Sequence, residues 1–144
     1  MIHSSILFAA LGLAATAFMS GPALAGDPTG LWLSQDGDVK MKVAHCGDAI
    51  CGTIAWLKSP NDEKGKPKVD INNADASKRG RPIIGSSVIL PMKPDGADKW
   101  SGKVYNAEDG KTYSGSFALA GPTQAVLKGC IAIICKSKTW TRTN

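Results

Sequence analysis

Eight short runs of alternating apolar and polar residues constrain the fold of this chain more than any other feature. They cover residues 31–35, 39–45, 50–57, 86–93, 99–106, 112–120, 124–130 and 135–142. A period of two is typical of strands with one buried face, and these runs lack the 3.6-residue period of amphipathic helices. Most connectors are short and rich in turn residues, so they join antiparallel neighbours. The exception is residues 58–85, a long loop dense in charge and proline.

Eight antiparallel strands without covering helices leave exposed sheet edges unless the sheet closes on itself. We therefore predict an all-β fold, a single eight-stranded antiparallel up-and-down β-barrel with one long loop. The interior of such a barrel is filled by side chains or holds one small ligand. An open two-sheet sandwich is the competing architecture.

Residues 1–25 are predicted to be a signal peptide. They contain an apolar stretch followed by a small-residue pattern that ends at Ala25 and is typical of a signal-peptidase site. We expect cleavage after Ala25, which leaves residues 26–144 as one barrel domain in the periplasm or outside the cell. The apolar stretch is short for a membrane span of ~20 residues and no second one follows, so no transmembrane span is expected after signal removal.

The four cysteines repeat one spacing, Cys46-x4-Cys51 and Cys130-x4-Cys135. Exported cysteines usually pair, and four of them permit three connectivities. In an eight-strand meander the two segments lie at opposite ends, farther apart than the ~4.4–6.8 Å between Cα atoms that a disulfide allows. We therefore predict two local disulfides, Cys46–Cys51 and Cys130–Cys135. The same separation argues against a four-cysteine zinc site, and we expect no metal and no cofactor.

The second and third runs suggest a register. If the first two cysteines face each other, Val43 lies opposite Ile54 and Met41 lies opposite Trp56, with the apolar face inward and the cysteines outward. The same alternation in later runs completes the predicted interior. That set is Met41, Val43, Ile54, Trp56, Val88, Leu90, Met92, Trp100, Tyr113 and Phe117. These side chains either line a ligand cavity or fill the barrel.

The ends of the first and last runs are expected to meet at one rim. Trp32 begins the first run and Arg142 ends the last, so Arg142 should lie over the Trp32 ring and close that end through a cation–π contact of ~0.5–2 kcal/mol. In the last run Trp140 alternates in phase with Lys136 and Lys138. The pattern alone leaves open which face of that strand is inward.

The rim that carries the long loop gathers polar side chains. They are Asp70, Asn72, Asn73, Arg79, Arg81, Asp109 and Lys111. Bracing of the loop and contact with a polar or anionic head group both remain open for this group.

Catalysis and nucleic-acid binding find little support in the sequence. His45 is the only histidine after the predicted signal, so a histidine metal cluster and a Ser-His-Asp triad lack their parts. We expect no enzyme and no catalytic residues. The net charge of +5 comes from lysines interleaved with acidic residues in an exported chain, and no nucleic-acid partner is expected.

Several motifs together resemble a known family. They include Cys46-Gly-Asp, Arg79-Gly-Arg-Pro82, Asp109-Gly-Lys-Thr-Tyr113, Gly129-Cys130 and Trp140-Thr-Arg142. The chain resembles bacterial exported domain-of-unknown-function family 2147 over essentially all of residues 26–144. The resemblance implies export and a lipocalin-like (calycin) barrel, because Gly30-x-Trp32 with a terminal Arg142 is similar to the closed-end signature of calycins. It implies no reaction.

The leading hypothesis from the sequence is an exported barrel that binds a small apolar or amphipathic ligand inside. The alternative is a cell-envelope protein-interaction module with a packed barrel, which acts through the basic rim of the long loop.

Overall fold

The computed structural model describes residues 12, 14–16 and 26–144. The predicted signal peptide falls almost wholly outside these residues and stays a prediction. Within the described ranges, no helix is long and apolar enough to cross a membrane.

Eight antiparallel strands close into one barrel in the order of the chain, which confirms the predicted fold. The strands are β1 Gly30–Leu33, β2 Val39–Cys46, β3 Ala49–Leu57, β4 Ser87–Pro94, β5 Lys99–Asn106, β6 Lys111–Leu119, β7 Gln124–Ile131 and β8 Ile134–Thr143. Pairing of β1 with both β2 and β8 closes the sheet and leaves no free edge. In residues 26–144 the one helical segment is a 3-10 turn in the long loop, Ala76–Lys78.

The strand connections divide between two ends of the barrel. The closed end carries residues 26–29, 47–48, 95–98, 120–123 and the chain end after β8. The open end carries residues 34–38, 58–86, 107–110 and 132–133. The long loop therefore belongs to the open end.

A packed core occupies the half of the barrel toward the closed end. Its members are Trp32, Met41, Val43, Ile50, Ile89, Met92, Trp100, Val104, Phe117, Ala125, Leu127 and Trp140. Trp32 and Phe117 are both fully buried and meet edge to face, with ring centroids 5.5 Å apart. Large side chains thus fill the closed half, since edge-to-face contact is a favourable aromatic arrangement.

The pairing of β2 with β3 corrects the predicted register. Met41 pairs with Ile54, and Lys40 pairs with Trp56, so Ala55 is an extra residue without a cross-strand partner. Such a β-bulge reverses which face the following residues occupy. Trp56 consequently lies on the outer face, 40% exposed, with the Lys40 Nζ 5.2 Å from its ring centroid. The inward placement of Trp56 was wrong.

The alternation in β4 is also broken. Ile89 and Met92 are both fully buried although three residues separate them, and the pairing with β5 shifts between them. Pro91 lies in this segment and has no N–H to donate to a neighbouring strand. Leu90 is only partly buried and lies neither in the core nor along the cavity described below, so its inward placement was wrong. Ile89 takes its place.

Both predicted disulfides are present, one toward each end of the barrel. Cys130 and Cys135 are direct partners in the pairing of β7 with β8. Cys46 reaches Cys51 diagonally, because the register places Cys51 opposite Ala44. Disulfides of this kind are typical of oxidising compartments outside the cytoplasm.

Candidate functional site

A cavity of about 840 Å³ occupies the barrel above the core and opens toward the long loop. Val104, Leu127 and Trp140 belong both to the packed core and to the cavity lining, so they form its floor. Ile54 and Val88 continue the apolar lining on the opposite strands. The volume lies within the range of ~300–1,000 Å³ that small-molecule sites occupy.

Two lysines stand above this floor on the inner face of β8. β7 and β8 pair without a bulge, with Ala125 opposite Trp140 and Leu127 opposite Lys138. Ala125, Leu127 and Trp140 are buried, and side chains two residues apart share a face, so Lys138 and Lys136 also belong to the inner face. Both line the cavity. The sequence left open which face of β8 points inward, and the structure shows that it is the face with Lys136, Lys138 and Trp140.

The two lysines differ in their surroundings. The Lys138 Nζ lies 3.8 Å from an Asp36 carboxylate oxygen, and both side chains are largely exposed, which makes this a weak, screened ion pair. Lys136 has no carboxylate within 4.0 Å among the described residues. Its cross-strand partner is Gly129, which adds no side chain beside it. Lys136 thus presents a positive charge at the cavity wall that the described chain does not neutralise.

The floor also contains a buried donor. The Trp140 side chain is 6% exposed, and its Nε1–H has no hydrogen-bond partner in the described part of the chain. Buried polar groups are paired in the great majority of cases, so this donor is unusual. It sits on a ring that lines the cavity.

One side of the opening is bounded by the long loop, which a buried carboxylate fastens to the barrel. Asp70 accepts hydrogen bonds from the Tyr105 hydroxyl at 2.7 Å, from the Asn73 Nδ2 at 2.8 Å and from the Arg81 Nε at 3.1 Å. The Arg81 Nη2 completes an ion pair with it at 3.0 Å. This cluster ties the loop to the end of β5.

The cluster sets the protonation of its members. Burial alone would raise the pKa of Asp70, but hydrogen bonds from Asn73, Tyr105 and Arg81 outweigh burial and lower that pKa. Burial and the hydrogen bond to Asp70 raise the pKa of Tyr105 to about 12. Asp70 is therefore a buried anion and Tyr105 a neutral donor at neutral pH.

Two more of the predicted rim residues also hold the loop. The Asn72 Nδ2 donates to the Glu108 carbonyl at 2.9 Å, which connects the loop to the turn between β5 and β6. The Arg79 Nε donates to the Asn73 carbonyl at 2.7 Å, within the loop itself. These polar groups are engaged with the chain.

Asp109 organises the turn between β5 and β6. It accepts the Lys111 backbone N–H at 2.9 Å and the Tyr113 hydroxyl. Burial raises the pKa of Asp109, whereas these hydrogen bonds lower it and prevail. Of the predicted rim set, Asn72, Arg79, Asp109 and Lys111 are exposed, whereas Asp70 and Asn73 are buried.

Arg142 seals the closed end. Its guanidinium carbon lies 4.3 Å from the Trp32 ring centroid. The same group donates to three backbone carbonyls, those of Thr29 at 2.6 Å, Asp27 at 2.8 Å and Pro122 at 3.1 Å. Because this arrangement covers the closed end of the barrel, the cavity communicates with solvent at the open end.

The predicted interior residues thus divide into groups. Three of them line the cavity: Ile54, Val88 and Tyr113. Five others lie in the packed core and do not line the cavity: Met41, Val43, Met92, Trp100 and Phe117. Sequence reasoning missed the cavity-lining residues Val104, Leu127, Trp140, Lys136 and Lys138. A signal for the last three was present, since they alternate in phase with Arg142, which was expected to lie over Trp32.

Comparison with known proteins supports the fold. A family described as "uncharacterized protein conserved in bacteria" (DUF2147) matches residues 30–142. No curated protein matches the chain. Protein HP1028 from Helicobacter pylori, whose structure is described as belonging to the lipocalin family, is similar with a TM-score of 0.72 and 19% identity, covering 82% of this chain and 84% of that one. A redesigned β-barrel gives a TM-score of 0.44 and 16% identity, covering 81% of this chain and 91% of that one.

Proposed function

Because the chain belongs to the bacterial DUF2147 family and has a lipocalin-like barrel, we propose that it is an exported protein that binds a small amphipathic ligand in its cavity. The observation that carries the proposal is the division of the lining into an apolar floor, which includes Leu127 and Trp140, and a lysine wall on the same strands. The two disulfides support a site of action in the periplasm or outside the cell. The proposal is for binding without a reaction.

An amphipathic ligand would place its apolar part on the floor and its polar end near Lys136. Burial of about a dozen methylene groups at ~0.8 kcal/mol each gives roughly 10 kcal/mol before association costs. Those costs are ~4–15 kcal/mol, so apolar burial alone supports micromolar binding at best. An anionic end would add a charge-assisted contact with Lys136, which has no carboxylate partner of its own among the described residues. A carboxylate or phosphate amphiphile is therefore the favoured class.

The test compares two fluorescent probes with the same acyl chain, one ending in a carboxylate and the other in an alcohol. We expect saturable binding of both probes and tighter binding of the carboxylate. Lys136→Ala should weaken carboxylate binding about tenfold and leave alcohol binding nearly unchanged. Lys128→Ala is the matched control, because Lys128 lies on β7 out of phase with the buried Leu127 and carries the same charge.

The two parts of the proposal fail separately. Absence of saturable binding for both probes would contradict ligand binding in the cavity. Binding of both probes with no effect of Lys136→Ala would leave ligand binding in place and reject the role of Lys136. A second variant, Leu127→Trp, should reduce the affinity for both probes, since it fills the floor.

A further inference from the structure

The exposed apolar side chains are distributed unevenly over the barrel. Among residues 26–144, the large apolar residues with exposed side chains are Trp56, Ile71, Ile84, Ile131, Ile133 and Ile134. All six lie in the connections of the open end or at the strand ends beside them. The connections of the closed end contribute none. Exposed apolar side chains gathered at one end of a small protein make that end a candidate interaction surface.

The isoleucine tip, defined as Ile131, Ile133 and Ile134, is the most prominent part of this distribution. The three side chains are 46%, 96% and 71% exposed. Ala132 and Ile133 form the two-residue turn between β7 and β8, and Ala132 has a φ of 53°, which alanine rarely adopts.

A disulfide holds the isoleucine tip. Cys130 and Cys135 are bonded and directly opposite one another, one pair before Ile131 and Ile134. The cross-link fixes the two strands at the base of the turn. The tip is therefore an apolar projection that is attached firmly to the barrel wall, beside the cavity opening.

The open end, which carries the tip, has a net positive charge. Residues 34–40, 58–86, 106–111 and 130–138 of the open end contain eleven lysines and arginines against eight acidic residues, a net charge of +3. Residues 26–29, 46–49, 93–99, 120–123 and 142–144 of the closed end contain three against four, a net charge of −1. Several open-end cations have no carboxylate within 4.0 Å in the described chain. They are Lys58, Lys64, Lys66, Lys68, Lys111 and Lys136.

We propose that the open end docks on an anionic lipid surface, with the isoleucine tip inserted among the head groups and the lysines of the same end against their phosphates. Apolar side chains flanked by lysine are the combination that binds membrane interfaces, where apolar burial and attraction to anionic lipid act together. Protein interfaces are instead enriched in aromatic residues and arginine at their centres, and the tip has neither. Docking in this orientation turns the cavity opening toward the bilayer.

The experiment is vesicle flotation with protein purified after export, its N-terminus checked by mass spectrometry. Vesicles of phosphatidylglycerol and vesicles of phosphatidylcholine are compared at low salt. We expect the protein to float with phosphatidylglycerol vesicles, and Ile133→Ser should reduce this binding about tenfold. Ile133 is 96% exposed, so this variant should retain the unfolding midpoint of the wild type.

A matched pair of charge reversals tests the orientation. The two variants are Lys111→Glu and Lys93→Glu. Lys111 begins β6 at the open end, and Lys93 lies near the end of β4 at the closed end. Both change the net charge by the same amount. We expect Lys111→Glu to weaken binding to phosphatidylglycerol vesicles about tenfold and Lys93→Glu to weaken it about twofold or less.

Three results would overturn the proposal. The first is no flotation with phosphatidylglycerol vesicles. The second is equal flotation of wild type and Ile133→Ser, which would mean attraction of charge without insertion of the tip. The third is equal loss in the two charge reversals. Ile133, Lys111 and Lys93 do not line the cavity. Their variants therefore test docking separately from ligand binding, which Lys136→Ala and Leu127→Trp test.

Discussion

The Tyr105 hydroxyl lies 2.7 Å from the Asp70 Oδ1 and joins the end of strand β5 to a loop residue 35 positions earlier in the chain. Asp70 has no solvent exposure, yet it is held as an anion by the donors around it. This buried charge therefore contributes to the attachment of the long loop, together with the hydrogen bond from Asn72 to the Glu108 carbonyl. The contribution of Asp70 makes the stability of the loop sensitive to substitution and to pH.

We expect Asp70→Asn to lower the free energy of unfolding by about 2–3 kcal/mol at pH 7, because it removes a buried anion from three donors. The pKa of Asp70 in the folded protein lies below its ordinary value of 3.8. The carboxylate therefore stabilises the fold fully above that value, and the contribution is lost as pH falls through the lower folded pKa. The difference between wild type and Asp70→Asn should shrink below about pH 4.

Urea unfolding from pH 7 to pH 3 measures this difference. Asp48→Asn, in the turn between β2 and β3, is the control and should change stability little at any pH. A gap between wild type and Asp70→Asn that widens on acidification would contradict the assignment.

Two glycines separate the cost of backbone conformation from the cost of contact. Gly110 and Gly37 have similar positive φ values, 71° and 76°. A Cβ at Gly110 would overlap the Asn72 carbonyl oxygen, whereas a Cβ at Gly37 meets nothing within 4 Å. Gly37→Ala should cost about 1 kcal/mol, and Gly110→Ala about 2–4 kcal/mol. Urea unfolding measures both, and limited proteolysis should cut residues 58–85 faster only in Gly110→Ala. Equal costs for the two would show that the contact with Asn72 is unimportant.

Lysine should not replace Arg142 at the closed end without a loss of stability. Arg142→Lys keeps the charge but cannot reach three carbonyls while it lies over the Trp32 ring. We expect a loss of about 2 kcal/mol in the free energy of unfolding. Lys42→Ala, on the outer face of β2, is the control and should have little effect. A fully stable Arg142→Lys would show that charge alone closes this end.

The disulfides should be unreactive and stabilising. Native, unreduced protein is expected to show no reaction with a thiol reagent at any of its four cysteines. Replacing Cys130 and Cys135 together by serine should cost about 2 kcal/mol, as should replacing Cys46 and Cys51, because each pair closes a ring of about six residues. Unfolding midpoints of the two double variants provide the comparison. A stoichiometric thiol signal from the native protein would disprove the pairing.

The strand pattern was predictable where alternation is unbroken. In β7 and β8 each residue has one partner, and both boundaries lie close to those read from the sequence. Prediction failed at Trp56 and Leu90, because each lies next to an irregularity that changes the phase of the strand. Pro91 was a visible warning for the second, since proline lacks the donor that a regular strand requires. The bulge at Ala55 has no comparable mark.

The candidate site was harder to predict than the fold. Polar density identified Asp70 and Arg81, but their partner Tyr105 lies on a strand and showed no pattern that would join it to them. Whether the interior is a cavity or a core depended on how far the large side chains of the closed half extend. Three-dimensional packing decides that, and alternation does not describe it.

The seal that Arg142 makes has a kinetic consequence. A ligand in the cavity would enter and leave along the same path, through the open end. A second molecule cannot push the first one through. Ligand exchange would then require the first ligand to dissociate before a second one binds. Any surface that covers the cavity opening would control the rates of both association and dissociation.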